Sequence, residues 1–358
     1  MSRASLPLLS ACLLLSFGCR EQVSFDTPIE PDHPWERAEP SPDWAERFDA
    51  AQAYHAEVGG KSMLVIQGDK LVYEVYANGN DDSTPGPLWS GTKTFACAMA
   101  QKGIEQGLLT LDEAVGDTLD LRAEQRTMTV RNLLQFTSGV KDDYWKLSVD
   151  SWYAASDQRT EDKYAYALAQ PQEHPPGEVF LYSPVHHLIF GALMDAKLEQ
   201  ETLAWLEETV LDPIGFRYAG WQRDPSGNLL IHLGAWTTAA EWARFGVLLR
   251  DDGLWEGEQV LPAGTLDACR QGSEPNPAYG LSAWLNQDIP DDLELNLGVE
   301  LEPDGPIFHA EGHTDMLVAA GASGQRVYVL PSEDMVVVLL SDSRDFADPQ
   351  FLEKLLPE

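Results

Sequence analysis

A serine and a lysine separated by two residues, Ser90 and Lys93, have the types and spacing needed for nucleophilic catalysis. Residues three apart on a helix lie on one face, so the lysine amine can reach the serine hydroxyl and take its proton. Backbone N–H groups at the start of a helix are unpaired, and Ser90 opens an apolar helical segment. Its own N–H could therefore stabilise the oxyanion that forms when the hydroxyl attacks a carbonyl group. This chemistry is acyl transfer.

The alternative is that Ser90 only caps the helix and that Lys93 is a solvated surface charge. Residues 94–100 are almost entirely apolar, which predicts a buried helix. Burial would lower the pKa of the lysine toward a value useful for a base. The same spacing recurs at Ser138 and Lys141, but there the Ser-Gly pair follows a predicted helix and indicates a helix stop. The flanking sequence therefore favours Ser90.

Two groups of predicted elements must position this pair. Apolar runs at residues 62–67 and 71–76 flank a turn at Gly68 and predict a β-hairpin, and β-rich runs follow near the other end of the chain. Those later strands are predicted at 316–320, 325–330 and 335–340. Helical patterns are predicted at 44–58, 90–106, 127–137, 237–249 and 351–356, and the chain stays mainly helical to about residue 215.

Strands at both ends with helices between them predict an α/β (α+β) fold. An antiparallel sheet built from both chain ends is flanked by helices, and a mainly helical domain is inserted into it. The predicted boundaries are 44–87 with 217–358 for the sheet domain, and 88–216 for the helical domain that carries the nucleophile helix.

Residues 88–95, Leu-Trp-Ser-Gly-Thr-Lys-Thr-Phe, resemble the nucleophile helix of the serine β-lactamase and penicillin-binding-protein superfamily. The resemblance is to its class C-like branch, which includes esterases and nylon-oligomer hydrolases, and it covers roughly residues 44–358. Further matching segments occur in the same order at 107–112, 129–139, 176–183, 243–246, 252–257 and 321–331. Phe136 stands where the second of these segments has histidine in that family.

The resemblance implies a role for each of several residues. Ser90 is the nucleophile, Lys93 is its partner, and Tyr182 shares the role of base and acid. Gly321, Ala322, Gly324 and Gln325 form the strand beside the substrate, where the backbone N–H of Ala322 completes the oxyanion hole. A rival register starts this third motif at His313.

Two departures from the family pattern bear on the substrate. Pro184 replaces the asparagine of the second motif and has no polar side-chain group. Ala319 stands where the third motif has a cation that would hold a substrate carboxylate. We therefore expect a serine hydrolase that prefers an ester or amide. The alternatives are a β-lactamase or D-Ala-D-Ala carboxypeptidase, and a non-catalytic binding or sensor protein on the same fold.

No metal or organic cofactor is expected. His186 and His187 are adjacent, but no acid-rich ligand spacing accompanies them. The aromatic side chains that follow Gly139 either line an apolar cleft or pack in the core; they are Tyr144, Trp145, Trp152 and Tyr153.

The first 19 residues predict an export signal: Arg3, a mostly apolar run, and a polar segment after Cys19. The run before Cys19 resembles a bacterial lipobox, which implies lipid attachment at Cys19 and a location at the periplasmic face of a membrane. Simple secretion is the alternative. Residues 20–43 are rich in proline and acid and predict an extended tether. In an oxidising compartment outside the cytoplasm, Cys97 and Cys269 could form a disulfide, but two buried thiols are favoured.

The chain has 58 acidic and 24 basic residues among 358, a formal net charge of -34. This charge argues against binding to the phosphate backbone of nucleic acid and against docking on anionic lipid through a basic patch. The expected partner is a small-molecule ester or amide, with membrane contact only through a lipid anchor. The sequence does not predict an oligomeric state.

Overall fold

The computed structural model describes residues 25–141, 162–290, 308 and 312–357. The helices are α1 (Pro42–Glu57), α2 (Phe95–Glu105), α3 (Val130–Leu134), α4 (Lys163–Ala169), α5 (Pro184–Lys197), α6 (Thr202–Leu206), α7 (Ala239–Arg250), α8 (Thr265–Cys269) and α9 (Asp348–Leu355). The strands are β1 (Glu36–Arg37), β2 (Gly60–Gln67), β3 (Lys70–Tyr76), β4 (Gly86–Pro87), β5 (Gly220–Trp221), β6 (Ala235–Thr237), β7 (Leu254–Trp255), β8 (Glu258–Gln259), β9 (Trp284–Leu285), β10 (Leu317–Gly321), β11 (Gln325–Leu330) and β12 (Met335–Ser341). Within these ranges, no helix is both long enough and apolar enough to cross a bilayer.

The main sheet has the strand order β1-β3-β2-β12-β11-β10-β9. The early hairpin β2–β3 therefore lies directly beside the last strands, and every pair is antiparallel except β1 with β3. The prediction of an antiparallel sheet made from both chain ends is confirmed. A smaller sheet, β4-β6-β5, leads the chain from the main sheet toward Ser90.

Helices cover both faces of the main sheet, which explains why its central strands are apolar at nearly every position. On β2, Met63 and Val65 belong to one buried cluster with Phe48 of α1 and Phe351 of α9. Leu64 and Ile66 belong to the cluster on the opposite face, with α7. At Gly246 of α7, a Cβ would lie only 2.6 Å from Val336 and 2.8 Å from Val327, so glycine lets this helix approach the sheet closely.

The segment between these sheet strands is mainly helical, as expected, although the division into domains at 88 and 216 remains a prediction. Helix α3 is shorter than the predicted 127–137. It ends at Leu134 because Phe136 and Gly139 have φ angles of 59° and 72°, in the left-handed region that an α-helix does not contain. The Ser-Gly pair at 138 is thus a turn beyond the helix.

Residues 25–41, which lie within the segment predicted as an extended tether at 20–43, pack against the body of the protein. Ile29 and Trp35 are buried, and the Trp35 ring meets Trp255 edge to face at 6.3 Å. Asp32 forms an ion pair with the buried Arg244 at 3.1 Å. Apolar side chains spaced among the prolines bind this segment to the body by burial of their surface. The signal segment, Cys19 and residues 20–24 lie outside the described residues.

Cys97 and Cys269 form a disulfide that joins α2 to α8. The favoured expectation of two separate buried thiols is therefore wrong. The apolar pattern around Cys97 did predict its burial, but a pairing between residues 172 apart leaves no local signal in the sequence.

Candidate active site

Ser90 lies in a 3-10 turn, Trp89–Thr94, that runs directly into α2. The predicted helix thus begins as a 3-10 turn, and its first residues project the partly exposed Ser90 beside β10. Trp89 has a φ angle of 48°, a left-handed conformation that costs a residue with a Cβ about 1–2 kcal/mol. This sharp bend immediately before Ser90 lets the chain leave β4 and present the hydroxyl at the start of the helical segment.

The amine of Lys93 lies 2.8 Å from the Ser90 hydroxyl oxygen. Lys93 is 3% exposed, and burial lowers the pKa of its amine to about 7. A large share of this lysine is therefore neutral near pH 7 and has a lone pair that can accept the serine proton. The sequence predicted both the contact and the direction of this pKa shift.

A backbone carbonyl supplies a second partner for Lys93. The amine donates to the carbonyl oxygen of His232 at 2.7 Å. Pro184, which replaces the asparagine of the second motif, is the first residue of α5 and follows the N-cap Ser183, a position where proline favours the start of a helix. Sequence reasoning missed His232, because a contact to a main-chain oxygen does not depend on residue type.

Tyr182 lies beside this pair, with its ring centroid 5.2 Å from the Lys93 amine. The ring stacks on Trp284 at 5.5 Å and meets Phe136 edge to face at 5.1 Å, which fixes its orientation. Burial raises the pKa of the phenol to about 12, although hydrogen bonding with Ser90 and the charge of Arg326 oppose the rise. The phenol therefore keeps its proton at neutral pH.

Gly321, at the end of β10, packs directly on the turn that holds Ser90. A Cβ at this position would overlap the carbonyl oxygen of Leu88 and lie 3.1 Å from the nitrogen of Gly91. Only glycine allows this close approach between the two segments. His313, in contrast, precedes the far end of β10 and pairs with Glu333 at 3.1 Å. The geometry favours the register that begins the third motif at Ala319.

Gly324 and Gln325 support the turn rather than face Ser90. Gly324 has a φ angle of 80° and packs against Phe346 and Ser341. The Gln325 side chain is buried and exchanges hydrogen bonds with the backbone of Ser341 in β12. Both ends of the Gln325 amide are thus used within the sheet, so its side chain supports β11 and β12.

His186 and His187 are buried in α5 and bonded to protein atoms. The Nε2 of His186 lies 2.8 Å from the Leu181 carbonyl, and that of His187 lies 3.0 Å from the Ser282 hydroxyl. Burial lowers the pKa of both rings, so they are neutral near pH 7. Among the described residues, no group of three or more metal-ligating side chains converges. The aromatic residues Tyr144, Trp145, Trp152 and Tyr153 lie outside these residues.

A family profile described as β-lactamase matches residues 45–355. Penicillin-binding protein 4 of Amycolatopsis lactamdurans is 26% identical over 277 residues, which cover 64% of this chain and 69% of that protein. Protein flp of Staphylococcus aureus strain COL is 21% identical over 179 residues, which cover 46% of this chain. That match spans only 35% of flp, so the chain corresponds to about a third of it.

Two solved structures have the same fold. A Bacillus anthracis protein described as a candidate 6-aminohexanoate-dimer hydrolase superposes with a TM-score of 0.70 at 19% identity, covering 92% of this chain and 87% of its own. A penicillin-binding-protein homologue from Caulobacter crescentus gives a TM-score of 0.66 at 14% identity, covering 89% and 97%. These identities are too low to carry more than the fold.

Proposed function

Because this chain belongs to the β-lactamase family, we propose that it is an exported serine hydrolase that cleaves an ester or amide through an acyl-enzyme on Ser90. The observation that carries the proposal is the 2.8 Å contact between the Lys93 amine and the Ser90 hydroxyl. A buried lysine whose pKa is lowered to about 7 is a base matched to neutral pH. Its contact with a partly exposed hydroxyl is the arrangement expected of an activated nucleophile.

In the acylation step, the neutral Lys93 takes the proton of Ser90 while the serine oxygen bonds to the substrate carbonyl carbon. The negative charge that develops on the carbonyl oxygen is stabilised by the backbone N–H groups of Ser90 and Ala322. When the bond to the leaving group breaks, the protonated Lys93 returns the proton through the Tyr182 hydroxyl. The high pKa of Tyr182 keeps this hydroxyl able to donate.

Deacylation repeats these roles with water as the nucleophile. Water adds to the acyl carbon and its proton passes to Lys93 through Tyr182, and the bond to the serine oxygen then breaks as Ser90 recovers a proton. The donors for the second tetrahedral intermediate are the same two N–H groups. This cycle needs only the protein and water.

The preference for an ester or amide without a nearby carboxylate follows from the third motif. Ala319, Ala320 and Gly321 offer no cation to a substrate. The partly buried Arg326 beside them already pairs with Asp348 at 2.6 Å. A β-lactam or a D-Ala-D-Ala terminus would therefore bring a carboxylate to a strand that, in the part of the chain the structure describes, presents no cation at this position.

Export is part of the proposal, and the disulfide between Cys97 and Cys269 supports it. Disulfides persist in the periplasm and outside the cell and are rare in the cytosol of mesophiles. A lipid on Cys19 would hold the enzyme at the membrane. Metabolic labelling with a clickable fatty acid should mark the wild-type protein and leave Cys19→Ala unmarked.

The test of the activity uses two serines with the same motif spacing. A fluorophosphonate probe and a short-chain p-nitrophenyl ester are applied to the purified protein, to Ser90→Ala and to Ser138→Ala. We expect Ser90→Ala to lose labelling and at least about a thousandfold in kcat/KM, as removal of a catalytic serine does. Ser138→Ala should retain both, because the Ser138 hydroxyl is buried and caps the nitrogen of Val140 at 3.2 Å.

The alternative, a binding or sensor protein on this fold, predicts a different outcome. The folded wild type would then show neither labelling nor ester turnover. Nitrocefin turnover at rates rivalling the ester would instead indicate a β-lactamase and contradict the proposed preference.

A further inference from the structure

Arg326 contacts the proposed site through the backbone of Gly321. It lies in β11, opposite Ala320 of β10. One guanidinium nitrogen, Nη1, donates to the carbonyl oxygens of Gly321 at 2.7 Å and Gln325 at 2.9 Å. Gly321 is the residue that packs on the Ser90 turn, so this hydrogen bond reaches the backbone of the third motif itself.

The bond to the Gly321 carbonyl also determines where the next N–H points. The carbonyl of Gly321 and the N–H of Ala322 belong to one peptide unit, which is planar. In the trans form found here the two groups point in opposite directions. A donor fixed on the carbonyl side therefore fixes the N–H on the other side, and it also polarises the amide so that this N–H donates more strongly.

The guanidinium is itself held from the other side. Its Nε and Nη2 atoms bond the two oxygens of Asp348, each at 2.6 Å, and the Tyr328 hydroxyl donates to the same carboxylate at 2.6 Å. Such a bidentate pair defines both distance and plane. Burial alone would lower the pKa of Arg326, but Asp348 outweighs it and raises that pKa, so the guanidinium is always charged.

We propose that Arg326 is a positioning residue of the oxyanion hole, which holds the Gly321–Ala322 peptide unit with the Ala322 N–H directed at the developing oxyanion. This inference rests on the proposed function. The guanidinium is committed to Asp348 on one side and to the Gly321 carbonyl on the other, so its positive charge orients the backbone.

The test compares an ester with its thionoester, in which sulfur replaces the carbonyl oxygen. Sulfur is a poor hydrogen-bond acceptor, so the ratio of kcat for the two substrates reports the strength of the oxyanion hole. In Arg326→Lys, one ammonium group cannot serve both Asp348 and Gly321. We expect kcat for the ester to fall on the order of tenfold to a hundredfold, with KM changed less than about threefold and the ester-to-thionoester ratio reduced in step.

Asp348→Asn is the matched control, since the asparagine oxygen still accepts one guanidinium hydrogen bond, so the ion pair is weakened while Arg326 keeps a partner on that side and its contact with Gly321. We expect a lower thermal midpoint with the ratio within about threefold of the wild type. The double variant Arg326→Gln/Asp348→Asn leaves no buried charge unpaired, so it keeps the test usable where Arg326→Lys does not fold. Its ester-to-thionoester ratio of kcat should also be reduced.

An unchanged ratio in folded Arg326→Lys or in the double variant would overturn the inference, as would equal losses of ratio in Asp348→Asn and Arg326→Lys. Absence of both Ser90 labelling and ester turnover in the wild type would instead refute the proposed function, and the inference with it.

Discussion

Lys93 is the residue on which the proposed chemistry depends, because its environment selects its protonation state. Its amine is buried against the Ser90 hydroxyl and the His232 carbonyl. Neither neighbour carries a negative charge that could offset the loss of hydration, which disfavours the ammonium form. The neighbouring Tyr182 is shifted in the opposite direction by the same burial. One buried environment thus yields a base without a proton and an acid with one.

A pH profile tests this assignment. Below pH 7, Lys93 becomes an ammonium group that cannot accept the serine proton, so kcat/KM for a neutral ester should fall about tenfold per pH unit. Above pH 7 it should level off, since Tyr182 keeps its proton until about pH 12. The measurement is kcat/KM from pH 5 to 10 with an ester that carries no ionisable group. A rise that continues above pH 9 would contradict a neutral Lys93 as the base.

How far the sequence predicts the site depends on the kind of contact. Ser90 and Lys93 are three residues apart, so their contact follows from helical geometry alone. Tyr182 could be found only through family resemblance, because nothing local distinguishes it from other buried tyrosines. The His232 carbonyl and the Arg326 contact with Gly321 involve main-chain oxygens brought near by tertiary folding, and side-chain patterns carry no information about them.

At the scale of elements, the close contact between β10 and the Ser90 turn is what would bring the two proposed N–H donors together. That contact depends on the absence of a side chain at Gly321. The strands themselves were predictable, because apolar runs buried on both faces are distinctive. Their packing on the turn could be expected only through the family resemblance, since it depends on one hydrogen atom in place of a Cβ at Gly321.

Gly321→Ala should therefore disable the site while the sheet remains. The added methyl group meets the backbone of Leu88 and Gly91, which cannot move aside as a side chain could. We expect kcat for a short ester to fall about a hundredfold or more, the typical loss when one oxyanion donor is displaced. Gly86→Ala is the control, because its methyl group would meet only a Leu340 side-chain atom at 3.6 Å. Equal activity of the two folded variants would refute this account of β10.

For the whole molecule, the disulfide ties the helix that follows Ser90 to a distant part of the chain. It joins α2 to α8 across 172 residues, and closing so long a loop restricts the unfolded state strongly. The N-terminal segment adds a second long-range attachment through Trp35 and Asp32. From the sequence the disulfide was only the less favoured alternative and the attachment of the N-terminal segment was not expected, because contacts between residues far apart in the chain leave no local pattern.

Reduction should destabilise the protein by a measurable amount. We expect loss of the Cys97–Cys269 bond to lower the free energy of unfolding by about 2–5 kcal/mol. The measurement is urea unfolding with and without a reductant that remains active throughout the titration. The variant Cys97→Ala/Cys269→Ala should already be destabilised and insensitive to the reductant. A wild type with the same midpoint in both conditions would contradict a stabilising disulfide.

The net charge of -34 acts on substrates before they reach Ser90. A strongly negative protein lowers the local concentration of anions, and the effect is screened over about 10 Å at 0.1 M salt. Two esters that differ only in a carboxylate on the acyl chain should therefore respond differently to sodium chloride. Raising salt from about 0.01 to 0.3 M should increase kcat/KM for the anionic ester severalfold and leave the neutral ester within about twofold.

Even at high salt the anionic ester should remain the poorer substrate, because screening weakens the long-range field but supplies no cation at Ala319. An anionic ester that overtakes the neutral one would show that a cation does reach the substrate carboxylate.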